Sequence, residues 1–267
     1  MIMILIKIVV TSAMVLGLSW LSERVGPKVA GIFAGLPLGI AVSLFFIGVE
    51  QGPEFASAAS LSALGGLGAS LIFCYAYWKL SSVIQIWNAA LTSLLSICVF
   101  LIAAAALGEL PQNRWVLTAA TLAITAIAIL AFKNIRLIDP KDHKKVVVTP
   151  LMLATRAGVA TAILLIITGL ASIIGEKWAG MLSGFPITLY PVLLIVHMTY
   201  SSEEAHGIIK GFPYGIGSLI ICALAASYLL VPLGVYLGML AAILLSSVYL
   251  AAVGFFLWKN SKASKAG

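Results

Sequence analysis

Residues 26–37, GPKVAGIFAGLP, return at 175–186 as GEKWAGMLSGFP, 149 positions later and without a gap. The same offset pairs Lys7 with Arg156, Gly26 with Gly175, Lys28 with Lys177, Gly31 with Gly180 and Gly35 with Gly184. It continues through Pro37/Pro186, Leu44/Leu193, Glu54/Glu203, Ala56/Ala205, Gly66/Gly215, Gly68/Gly217 and Ile72/Ile221. Glycine, proline and charge recur while most apolar positions have drifted. Two copies of one backbone shape leave that trace, whereas a shared composition does not.

The duplicated chain is 62% hydrophobic and only 9% charged, against about 25% charged residues in an ordinary soluble domain. Apolar runs of about 20 residues follow one another, each long enough to cross the hydrocarbon core as a helix. Helices satisfy their own backbone groups where no water can, and the alternating pattern of a membrane barrel is absent. The fold class is therefore all-α and polytopic, with about nine transmembrane helices, predicted at 2–20, 29–48, 55–78, 84–108, 114–132, 151–173, 178–200, 205–229 and 233–258. All six tryptophans fall near predicted span ends, as an interfacial belt requires. Residues 2–20 lack a basic start and a small-residue cleavage site, so they are expected to stay as a span.

The formal net charge of +7 does not point to nucleic acid, because the lysines and arginines sit in short loops and tails. They act instead as topology signals. The stretch Lys133–Lys145, with five basic and two acidic residues, is expected to face the cytoplasm. Alternation then puts eleven loop and tail cations inside, with Arg114 and Lys177 outside, the N-terminus out and the C-terminus in. Five predicted spans precede the second copy, and an odd number makes the copies enter the membrane from opposite sides. Helices 1–4 and 6–9 are the expected inverted repeats, with helix 5 as linker. The domains are 1–110, a linker helix and loop at 111–148, and 149–267. Such duplication is the mark of many secondary transporters, whose sites lie at the repeat interface near the midplane.

Helices 2 and 7 carry A-G-x-x-x-G-x-P at 30–37 and 179–186. Pro37 and Pro186 each remove a backbone hydrogen bond and crowd the preceding turn. Kinked, tightly packed helices would explain the motif, as would broken helices whose free backbone groups line a polar cavity. Ser183, Thr188, Tyr190 and Tyr214 add polar groups in the second copy, where the first has Ala34, Gly39, Ala41 and Gly65. The cations Lys7, Arg156 and Lys210 lie within predicted spans, where an uncompensated charge costs about 2.5–3.5 kcal/mol or more. They are candidates to attract an anion. His197 is a candidate for proton coupling and Glu50 a weaker one.

No enzyme is indicated. The chain has no G-x-S-x-G, no H-E-x-x-H and no intramembrane aspartate cluster. Cys74, Cys98 and Cys222 stand alone in apolar runs, so neither a disulfide framework nor a metal site is expected, and no cofactor.

Each half resembles the short inner-membrane proteins of the GlpM family. The first half does so in Ile4-Leu5-Ile6-Lys7, in Ala30-Gly31 with Leu36-Pro37, and in Glu50 with Gly52. The second half does so in Phe185-Pro186-Ile187-Thr188 and Leu194-Ile195-Val196-His197. The resemblance implies an inner-membrane location and a tandem, inverted fusion of two such units. It departs at Gly48, the mate of His197, and at Gln51. The leading expectation is a secondary transporter for a small organic or phosphate-bearing anion. A flippase for an anionic lipid and a non-transporting scaffold for envelope biosynthesis are the alternatives. The expected partners are the lipid bilayer and that anion or lipid, and a homo-oligomer is compatible with the pattern.

Overall fold

The structure is a computed structural model. It describes residues 2–22, 35–83, 89–136 and 149–266, and side chains are described within 2–17, 35–83, 89–136 and 149–254. Residues 29–34 of the predicted helix at 29–48, including the first motif copy up to Ala34, lie outside the described residues, as does most of the basic loop.

Among the described residues there are eight helical elements and no strand. They are α1 (Ile2–Ser22), α2 (Leu38–Gln51), α3 (Pro53–Val83), α4 (Ala89–Gly108), α5 (Arg114–Phe132), α6 (Pro150–Ser183), α7 (Leu189–Thr199) and α8 (Ser202–Ala266). Five of these, α3, α4, α5, α6 and α8, are long and apolar enough to cross a membrane, and the other three are shorter apolar helices. The chain is a multi-pass membrane protein.

The helix boundaries follow from local chemistry. Asn113 caps α5, its side chain accepting a hydrogen bond from the Trp115 amide at 2.8 Å, and Thr149 caps α6 through the Met152 amide. Pro150 supplies the fixed φ of a first helical turn. Pro37 does not kink a helix from inside. It stands at the N-cap of α2, where its missing N–H removes no helical bond.

The predicted helix at 178–200 is interrupted. Between Ser183 and Leu189 the residues Gly184–Thr188 are non-helical, and Pro186 lies in the gap. Conversely, the segments predicted at 151–173 and 178–183 are joined with a single break at Gly175 (φ 76°), a conformation open to glycine at little cost. The break in α8 at Gly234 (φ 73°) reverses the chain. Gly238 packs on Leu229 and Leu230, and the Ser218 hydroxyl donates to the Ser246 carbonyl at 3.0 Å. The two arms of α8 therefore run antiparallel.

Helix α3 is the centre. Its apolar window is 83% buried, against 28–39% for the other four long helices. Its core face carries Ser62, Gly65, Gly66, Gly68, Ala69 and Ser70, small enough to admit neighbours on several sides. α5 runs parallel to it, with Thr121 on the Leu64 carbonyl and Trp78 against Phe132. The first arm of α8 runs the other way: Ser57 bonds the Ser227 carbonyl at one end, and Ser81 meets His206 at the other. At offset 149, residues 53–83 correspond to 202–232, so these two helices are repeat mates lying side by side in opposite directions.

The contacts between copies are reciprocal. Gly35 lies on the backbone of Gly215, and Gly184 on that of Gly66. Each pair is the other's repeat mate. Gly39 meets Thr188, its own mate, 3.4 Å from where a Cβ would stand to the Thr188 methyl. That contact joins the same position of the two sequence copies.

A methyl at Gly184 would sit 2.5 Å from the Gly66 carbonyl carbon, whereas nothing lies within 4 Å of one at Gly169. Gly184→Ala is expected to lower stability by about 1–3 kcal/mol through overpacking. Gly169→Ala should be neutral, or stabilising by up to about 1 kcal/mol. Thermal unfolding in detergent of the two variants checks the contrast.

Candidate functional site

The helix breaks bring backbone polar groups into the protein interior around Gly39 and Thr188. The last turn of α6 ends at Ser183, whose hydroxyl bonds back to the Ala179 carbonyl at 2.8 Å. The freed Gly184 carbonyl accepts a 2.6 Å hydrogen bond from Ser70 on α3. The Tyr190 amide closes the first turn of α7 on the Pro186 carbonyl, and the Ala41 amide closes that of α2 on the Pro37 carbonyl. These two turns match almost residue for residue across the repeat.

Between them lies a small cavity with about 10 Å³ open to the centre of a water molecule, room for roughly one water. Gly39 and Ile40 of α2 line one side, and Ser183 through Thr188 the other. Leu67, Phe212 and Leu219 complete it. Two helix N-termini, those of α2 and α7, open on this cavity, and neither carries a side-chain cap at Pro37 or Thr188. The helix dipole makes such an end positive. The C-terminal end of α6 contributes carbonyls beside them, as at discontinuous helices in transporters.

Of the residues singled out by sequence, Ser183, Pro186 and Thr188 line this cavity. Pro37 is buried two residues from Gly39. Tyr190 stands behind it in an aromatic cluster, its ring 5.6 Å from that of Phe185 and 6.0 Å from that of Phe73. Tyr214 is half-buried on α8 and does not line the cavity.

The three cations are not gathered there. Lys7 is only 4% exposed and is held by Glu50 at 2.7 Å and by the Thr168 hydroxyl at 2.8 Å, with the Phe46 ring 5.6 Å away. Arg156, its repeat mate, is 2% exposed on the first arm of α6. Lys210 donates to the Lys133 and Ile135 carbonyls, the latter at 2.5 Å. It completes the C-terminal end of α5, where carbonyls lack helical partners and a cation suits the dipole. His197 meets the Tyr77 hydroxyl through Nδ1 at 3.0 Å.

Sequence reasoning missed the Lys7–Glu50 pair. Nothing near Glu50 in sequence points to Lys7, but the α2–α3 turn at Gly52 (φ 95°) brings it back to α1. It also missed Gly39, Ser70 and His206. The signal for Gly39 was present: it faces Thr188 in the repeat alignment.

No protein-family profile, curated protein or solved structure matches this chain.

Removing one member of the Lys7–Glu50 pair strands the other in a mostly buried site. Lys7→Met or Glu50→Gln should each lower stability by about 1.5–3 kcal/mol. The double variant Lys7→Met/Glu50→Gln should recover part of that loss, and the double-mutant cycle it completes on thermal unfolding measures the coupling.

Proposed function

We propose that the chain is a small secondary transporter that moves a small organic or phosphate-bearing anion by alternating access. Two inverted units, helices 1–4 and 6–9 of nine traverses, rock about the axis through Gly39 and Thr188. The observation that carries this reading is the convergence of two helix N-termini without side-chain caps on one small cavity between the copies. An anion is the ligand such ends favour. The antiparallel packing of α3 on the first arm of α8 and the reciprocal Gly35–Gly215 and Gly66–Gly184 contacts support the inverted arrangement.

With room for about one water, the cavity is too small for such an anion, and the reading requires the units to part before anything larger enters. Thr188 and Ser183 then orient the anion by hydroxyl hydrogen bonds. Arg156, near-fully buried on α6, supplies long-range attraction, while Lys7 is neutralised by Glu50. A scaffold with all cations at the interface fits the burial of Lys7 and Arg156 poorly. The GlpM-like resemblance and an inner-membrane location, N-terminus out, belong to the same proposal.

Uptake by proteoliposomes of a panel of labelled organic acids and phosphate esters tests it. At least one anion should accumulate, and Gly39→Leu, which fills the cavity against Thr188 and Ile187, should abolish its uptake. Arg156→Ala should reduce uptake at least about tenfold, the loss of about 1.4 kcal/mol of attraction. Unchanged uptake in Arg156→Ala removes that residue from the mechanism. Flux of none of the anions contradicts the function.

A further inference from the structure

The two inter-helix hairpins, 48–57 and 197–206, are repeat mates closed by different chemistry. The first hairpin is tied by an ion pair and by hydrogen bonds, with no histidine. Glu50 pairs with Lys7, and the Ser57 hydroxyl bonds the Ser227 carbonyl at 2.9 Å. Arg114 bonds the same carbonyl at 3.0 Å and lies 4.2 Å over the Tyr228 ring.

The second hairpin is tied by two histidines to the far end of α3. His206 Nε2 lies 2.7 Å from the Ser81 hydroxyl, and His197 Nδ1 lies 3.0 Å from the Tyr77 hydroxyl. Their repeat mates are Ser57 and Gly48, so both imidazoles belong to the second copy alone. Ser57 and Ser81 are 24 residues apart on one helix, about 36 Å at 1.5 Å per residue. The two fastenings therefore stand near opposite faces of the membrane.

We propose that the His206–Ser81 and His197–Tyr77 contacts form a proton-operated latch that opens the 197–206 hairpin from α3, a device that the 48–57 hairpin lacks. Its use as a gate rests on the transport reading. The physical reason is burial. His206 is 7% exposed, and a charge gained there must be solvated or paired. Histidine is the side chain whose charge ordinarily changes in the physiological range.

Ser81 also bonds the Trp78 carbonyl at 3.1 Å, which engages its proton and leaves His206 Nε2–H as donor to the hydroxyl oxygen. A second proton must then be taken at the other ring nitrogen. The groups around the pair are Tyr77 and Ser81 from α3, His197 from α7, and Glu203 and Glu204 from α8, with Glu204 5% exposed. Lys79 is turned away onto the Trp78 ring at 4.2 Å, and Lys210 is engaged by the carbonyls of α5. Opening lets water and the exposed Glu203 meet the imidazolium.

The test needs no substrate. Spin labels at Val83→Cys and Met198→Cys, both highly exposed in the native chain, are introduced with Cys98→Ser in the full-length protein. Their distance distribution is then measured in lipid nanodiscs. On going from about pH 7.5 to about pH 4, acid enough to charge a buried imidazole, a longer-distance population should grow at the expense of the short one. His206→Gln keeps a donor towards Ser81 but cannot titrate, and together with His197→Gln it should abolish the shift.

A native distribution that is the same at both pH values overturns the latch, as does a shift that survives in the double variant. Should the double variant not fold, the native comparison and each single variant still decide. Hairpin opening without anion flux would keep the latch and remove the transport reading. Anion flux without opening would do the reverse.

Discussion

In hydrocarbon, a helix that breaks exposes N–H and C=O groups that no lipid can satisfy, and each costs several kcal/mol unless protein supplies a partner. The break at Gly184–Thr188 is tolerated because α3 comes close enough to supply one. Ser70 donates to the freed Gly184 carbonyl, and it reaches because Gly66 and Gly184 touch backbone to backbone. The other copy uses the mated contact, Gly35 on Gly215. Glycine at these four positions is a packing requirement, which explains why they persist while the apolar residues between them drift.

From that constraint the rest of the architecture follows. The close approach fixes α3 and the first arm of α8 side by side and antiparallel, and it brings α2 and α7 to a common axis. There two positive helix ends open on a cavity whose side-chain polar groups, Ser183 and Thr188, are neutral. The charges are kept away from it. Lys7 is matched with Glu50, and Lys210 is spent on the end of α5. An anion at the axis would meet backbone dipoles first, and dipoles bind without the desolvation cost of a buried ammonium.

Much of this was legible in sequence, and the reasons differ by feature. The helix at 114–132 agrees residue for residue with α5, because a capping Asn113 and an uninterrupted apolar run leave no ambiguity. The repeat marked Gly35, Gly66, Gly184 and Gly215 as important without saying what they touch. The break at Gly175 was legible only as a loop and that at Gly234 falls inside the span predicted at 233–258, since a single positive φ looks like any other glycine. The partners of Lys7 and Lys210 were not legible. Glu50 lies 43 residues from Lys7, and Ile135 lies 75 from Lys210, and only the packed fold joins them. His206 left one trace, a histidine where the repeat has serine.

The central claim is that the axis between α2 and α7 is a site reached from both sides of the membrane in turn. Thr188→Cys places a nearly isosteric thiol there. Its labelling by a membrane-impermeant reagent, in right-side-out and inside-out vesicles with Cys98 replaced by serine, measures access most directly. The account predicts labelling from each face, slowed by the transported anion. A thiol unreachable from either face under all conditions would contradict it.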